Sequence, residues 1–144
     1  MTAQGERGTE VAEATTEVDV APEVVWRALV DERERRAWWP DMHLDAVVGG
    51  AVRETWEEGD AQLTSTGTVR EVLAADELAF TWSDEDWEAI TAVTVRLRPS
   101  ASGTRVTVRE DGFAQLADGA RIAAEHRAGW QHHLGRLRDH LAAD

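Results

Sequence analysis

Apolar and polar positions alternate along most of this chain, and near its end the period changes. Glu10 to Val20 (EVAEATTEVDV) mixes β-branched and polar residues and predicts a first strand. In APEVVWRALV, Pro22 stands where a first helical position would be, a favoured site because its missing N–H costs nothing there. Val25, Trp26 and Leu29 follow at helical spacing. A second short helical turn over Asp31 to Ala37 leads into a Trp38-Trp39-Pro40 corner. Strands then dominate. Gly49-Gly50 marks a turn before AVRETWEE, and Gly67 sits within LTSTGTVREVL. Leu78, Phe80 and Trp82 alternate in ELAFTWSD; Val93, Val95 and Leu97 do so in AITAVTVRLRP, and Val106 and Val108 in TRVTVRE. Pro99 and Gly103 close the hairpin between the last two, which indicates an antiparallel sheet with one buried face. From Ala120 to Leu141 the stripe Ala123, Trp130, Leu134, Leu137 and Leu141 predicts a long amphipathic helix. Strands followed by one long helix make an α+β fold, the helix laid across the sheet.

The tryptophans sharpen this picture. Each indole can bury about 150–250 Å², equivalent to roughly 4–6 kcal/mol at about 25 cal/mol per Å². Trp26 and Trp38 read as core packing, whereas Trp39, Trp56, Trp82 and Trp130 suit either a core or the wall of a cavity. Trp87 lies in an acidic turn, SDEDWEAI, where nothing in the pattern buries it; it reads as a loop indole, a lid or part of an interface.

Composition and charge then exclude whole classes. At 144 residues the chain suits one domain, read as Val11 to Asp144 behind a loose polar tail of residues 1–10 without the apolar stretch of a signal peptide. There is no cysteine, so disulfides, thiolate zinc sites and cysteine nucleophiles are excluded, and a cytoplasmic setting fits. The net charge of −13 makes nucleic acid and anionic membrane poor partners, and no run is long and apolar enough to span a bilayer. Every cation except histidine is arginine, which fits a coding bias better than a function. Without lysine there is no Schiff base and no Walker-type phosphate loop, and no G-x-S-x-G elbow occurs. His126 and His133 are seven residues apart, about 10.5 Å along a helix, too far to share a zinc ion whose nitrogens stand at ~2.0–2.1 Å. No metal and no cofactor is expected.

The order of elements is similar to the helix-grip arrangement of the START-like (SRPBCC) superfamily, also that of the birch-pollen allergens. Within it, APEVVWRALVDERERRAWWP resembles the first block of the family named after the activator of the heat-shock-protein-90 ATPase. Gly49-Gly50, GTVREVLAADELAFTW, GTRVTVREDGF and Gly129-Trp130 match its later blocks in order, so the likeness runs from about Val11 to Leu141. The resemblance implies a curved antiparallel sheet of six to seven strands wrapped around the long C-terminal helix, with two short helices after the first strand. It also implies a cavity between sheet and helix that takes apolar or aromatic small molecules. The chain departs from the family pattern at Glu54, where an apolar residue is usual, and at Glu110, where histidine is common. The chaperone role in the family name belongs to a larger multidomain architecture and is not carried over.

Strand parity selects the polar groups of such a cavity. Val52, Glu54 and Trp56 share a face, as do Val106, Val108 and Glu110, while Arg53, Thr55, Arg105, Thr107 and Arg109 fall on the other. His126 lies about 40° from Trp130 around the helix, with His133 on the flank of the same stripe. The expected lining is therefore Trp39, Glu54, Trp56, Phe80, Trp82, Val95, Val108, Glu110, His126 and Trp130. Glu54, Glu110 and His126 are candidates for proton transfer, since a desolvated glutamate has a raised pKa. A β-bulge after Val52 or Val108 would instead turn a glutamate to solvent, and an arginine could pair with it as an ordinary buried charge. The expectation is a monomer or homodimer that binds a small apolar or aromatic ligand. The alternatives are a polyketide cyclase or dehydratase-like enzyme, a metabolite-sequestering resistance protein, and a protein-interaction module.

Overall fold

A computed structural model of the chain describes residues 10–142; most of the expected N-terminal tail lies outside them. Strand β1 (Ala12–Val18) buries Ala12, Ala14 and Val18, with Thr16 half-buried on the same face, and turns Glu13, Thr15 and Glu17 outward, the two-residue period of a half-buried strand. Helix α1 (Pro22–Val30) buries Val25, Ala28 and Leu29. Trp26, expected in the core, only packs against its edge, because Ala28 takes the inward place between Val25 and Leu29.

Asp31 ends α1 and starts α2 (Glu32–Trp38): its N–H donates to the Arg27 carbonyl, and its carboxylate accepts the Glu34 N–H at 2.9 Å. The corner that follows is tied down from three sides. Trp38 Nε1 donates to the Ala28 carbonyl at 2.9 Å, Arg35 Nη1 to the Leu29 carbonyl at 3.0 Å, and Arg136 Nε to the Trp38 carbonyl at 2.9 Å.

The remaining strands are β2 (Met42–Leu44), β3 (Ala51–Glu58), β4 (Ala61–Leu73), β5 (Glu77–Trp82), β6 (Thr91–Ser100) and β7 (Gly103–Asp111). They and β1 form one curled antiparallel sheet of order β1-β7-β6-β5-β4-β3-β2. A 3₁₀ turn (Phe113–Gln115) leads into helix α3 (Gly119–Ala142), which packs on the sheet with Ala123, Trp130, Leu134, Leu137 and Leu141 buried, the stripe the sequence predicts. Among the described residues no helix is long and apolar enough to cross a membrane.

Register fixes which residues face α3. β3 pairs with β4 without a break from Ala51↔Thr68 to Glu58↔Ala61, and β7 pairs continuously with both β1 and β6. No bulge therefore turns Glu54 or Glu110 away from the interior. The sheet's irregularity falls instead on β4, where the register slips by one residue between Val69 and Glu71. Just before it, the β4 backbone runs so close to β5 that a Cβ on Gly67 would stand 1.8 Å from the Thr81 carbonyl oxygen.

Candidate functional site

A cavity of about 350 Å³ opens between the β3–β5 end of the sheet and the middle of α3. Four indoles wall it: Trp39 at the end of α2, Trp56 on β3, Trp82 at the end of β5, and Trp130 on α3. Each has its N–H satisfied by a side chain. Trp39 Nε1 donates to Glu54 at 2.7 Å, Trp56 Nε1 to Ser65 Oγ at 3.0 Å, Trp82 Nε1 to Asp84 at 2.9 Å, and Trp130 Nε1 to Glu110 at 2.9 Å. With those donors occupied, what the rings offer a guest is apolar surface. Glu54, Ser65, Asp84, His126 and His133 are the polar lining, with Glu58, Glu125 and Gly129 completing it.

Two carboxylates set the state of His126. Its Nδ1 lies 2.8 Å from Glu110 Oε1 and its Nε2 3.3 Å from Asp84 Oδ2. Burial alone would push its pKa down, but the hydrogen bonds and charges of Asp84 and Glu110 outweigh this and raise it to about 10. His126 is thus an imidazolium at neutral pH and donates from both nitrogens. Asp84 is the reciprocal case: burial would raise its pKa, and hydrogen bonds from His126, Ser65 and Trp82 bring it below the usual carboxylate value. Glu110 is fully buried. Its Oε1 accepts from His126 and Trp130, and its Oε2 accepts from Thr91 Oγ1 at 2.5 Å.

Glu54 and His133 form a second, looser group. Burial pushes the Glu54 carboxyl above its ordinary range, with Asp41 and Asp84 adding to the effect while the Trp39 N–H and the His126 charge oppose it. His133 Nε2 stands 4.0 Å from Glu54 Oε2, and its ring stacks on Trp39 with centroids 3.9 Å apart. Burial, together with the charges of His132 and Arg136, lowers the His133 pKa to about 4, so this imidazole is neutral.

The structure brings together Trp39, Glu54, Trp56, Trp82, His126 and Trp130 of the predicted lining. It does not bring the rest onto the same void. Phe80, Val95 and Val108 border a separate apolar space of about 30 Å³, because Trp39, Trp130 and His133 stand between the two and line both. Glu110 points inward, as parity requires, but lies behind Trp130 and His126 with no exposed surface. Trp87 is a correction: it is not a free loop indole but packs on His126 and Phe113, with ring centroids 5.3 and 6.1 Å away. Sequence reasoning missed Glu58, Ser65, Asp84, Glu125 and Gly129. Asp84 carries a readable signal, since it lies two residues beyond Trp82 at the end of β5, where the alternation carried on past the strand sets it on the same side. Ser65 has no such signal; register alone sets it opposite Glu54.

A curled antiparallel sheet closed over a long C-terminal helix, with a cavity between them, defines a helix-grip protein. Residues 19–142 match the model of the family described as activator of Hsp90 ATPase homolog 1-like protein, and the chain belongs to that family. Solved structures agree on the fold. Protein CV1439 from Chromobacterium violaceum superposes with a TM-score of 0.77 at 22% identity, over 93% of this chain and 99% of that one. Protein MLL2253 from Mesorhizobium loti gives 0.75 at 22%, over 93% and 98%. DynU16, a protein of the dynemicin biosynthetic locus, gives 0.76 at 26% over 93% of this chain, which spans about half of that one (48%). No curated protein matches the sequence.

Proposed function

We propose that this protein binds a small apolar or aromatic molecule in the cavity between the sheet and α3. The observation that carries the reading is the wall of four indoles with their N–H groups already satisfied, around a space of about 350 Å³. Apolar walls with a few convergent polar groups are the usual character of small-molecule sites. The likeness to a protein of a biosynthetic locus supports a metabolite as guest.

Gly129 supplies the test. It lines the cavity on α3, and a Cβ there would meet nothing within 4 Å. Gly129→Leu should put a side chain into the cavity and narrow it while keeping the fold, and it should gain up to about 1 kcal/mol because glycine is a poor helix former. Titration with indole or naphthalene, followed by quenching of tryptophan fluorescence, should saturate in the parent protein and be clearly weaker in Gly129→Leu. Absence of saturable binding in the parent, or equal binding in the narrowed variant, overturns the reading. Native mass spectrometry of protein from its own cells would then identify the guest.

A second reading, an enzyme of the polyketide cyclase or dehydratase type, is favoured by one observation. Glu54, with its raised pKa, faces the cavity beside a neutral His133. Turnover lost in Glu54→Gln with binding retained would select it. Glu110 and His126 do not suit that chemistry, since the first is sealed and the second holds its proton to about pH 10.

A further inference from the structure

The cavity carries negative charge that the protein does not neutralise. Its lining includes four acidic side chains, Glu54, Glu58, Asp84 and Glu125, and none of the described residues lining it is an arginine, although the chain has fifteen cations of that type. The acidic residues differ in how they are answered. Glu125 has Arg121 Nη1 at 2.9 Å, outside the cavity. Asp84 shares the single imidazolium of His126 with Glu110, so two carboxylates meet one positive charge. Glu58 has no ion-pair partner among the described residues, but it is exposed and solvated. Glu54 is the unpaired one that is largely buried: it accepts from the Trp39 indole, and the imidazole beside it is neutral. The buried guanidinium of Arg35 does not reach this place; it donates to the Leu29 carbonyl and borders the smaller apolar void.

A desolvated carboxylate without a counter-charge is unfavourable, and here it sits among aromatic rings, whose π-faces attract cations. We infer that the natural guest of this cavity is a cation, an aromatic or compact alkyl ammonium whose nitrogen stands at Glu54 between the indole walls. This rests on the cavity being a binding site and goes on to give the ligand's charge. The titratable groups around Glu54 bear on it: Asp41 and Asp84 push its carboxyl towards the neutral form, His126 opposes them, His133 lies beside it without charge, and Glu58 and Glu125 line the same cavity. A cation supplies what these groups lack. Its affinity therefore falls when acid protonates Glu54, and a neutral guest of the same shape shows no such loss.

The experiment uses three probes on the full chain, read by tryptophan quenching: benzyltrimethylammonium, its uncharged carbon isostere neopentylbenzene, and phenylacetate. The quaternary cation does not titrate, so any pH dependence belongs to the protein. The ammonium should bind at least about tenfold tighter than the isostere, with phenylacetate weakest. Glu54→Gln should bring ammonium and isostere to within about twofold of each other, Glu54→Asp should keep the preference, and mild acid should weaken only the ammonium. Equal affinity for ammonium and isostere, or a preference that survives Glu54→Gln, overturns the inference and leaves the cavity reading standing. If no probe binds, and indole does not bind either, the cavity reading fails and the inference fails with it.

Discussion

His126 is held between Asp84 and Glu110, and removing it would leave two desolvated carboxylates facing each other. Breaking a buried ion pair by deleting one partner costs about 3–5 kcal/mol because the charge left behind is uncompensated. His126→Gln should therefore lower unfolding free energy by about 3 kcal/mol, read from the urea midpoint, and Asp84→Asn in the same chain should restore part of the loss. The sequence already placed most of this group. Two-residue parity turned Glu54 and Glu110 inward, and the 100° step of a helix set His126 beside Trp130. What it could not state is that Glu110 is consumed. That depends on Thr91 and Trp130 reaching the same carboxylate, a matter of register across β5, β6 and β7 and of how α3 sits on them. Parity gives the side a residue faces, whereas its hydrogen-bond partners come from neighbours far away in sequence.

Secondary-structure elements were legible wherever a period had room to repeat. β1, β5, β6, β7 and α3 each show several turns of alternation or stripe, and their limits fall close to those expected. β2, only three residues long, and the 3₁₀ turn at Phe113 are too short to display any period. The slip in β4 after Val69 leaves no compositional mark either. Gly67 was read as a glycine inside a strand, and the structure gives the reason for it in the close passage of β5. A contrast between two glycines follows. Gly67→Ala would drive a Cβ into backbone, which side-chain motion cannot relieve, and should cost about 3 kcal/mol or more. Gly135→Ala, on α3 with nothing within 4 Å of the new Cβ, should gain about 1 kcal/mol. Thermal melts of the two variants should move in opposite directions, and parallel shifts would contradict the tight crossing at β4.

The folded molecule as a whole should have a stability profile bounded on both sides of neutral pH, and the signs can be worked out from the cavity's own groups. His126 has its pKa raised from 6.5 to about 10, so its contribution is complete below pH 6.5 and is lost as pH rises through 10. The slope over that window approaches about 1.4 kcal/mol per pH unit. His133 is lowered to about 4, so its contribution is present above 6.5 and is lost as pH falls towards 4. Asp84, also lowered, withdraws its share as pH falls below its ordinary value, whereas Glu54, raised, is eased by acid and partly offsets them. Maximum stability therefore belongs near pH 6.5. Surface repulsion, large in a chain of net charge −13, has the same alkaline direction but a different sensitivity to salt. Raising ionic strength from 0.1 to 1 M shortens the screening length from about 10 to 3 Å, which quiets exposed charges and leaves buried pairs nearly untouched. Urea unfolding between pH 6 and 10 in 1 M salt should still show the alkaline loss in the parent chain, and His126→Gln should flatten it. A loss that vanishes with salt, or that persists in His126→Gln, would assign it to the surface and take away the charged state of His126 on which the cavity's electrostatics are built.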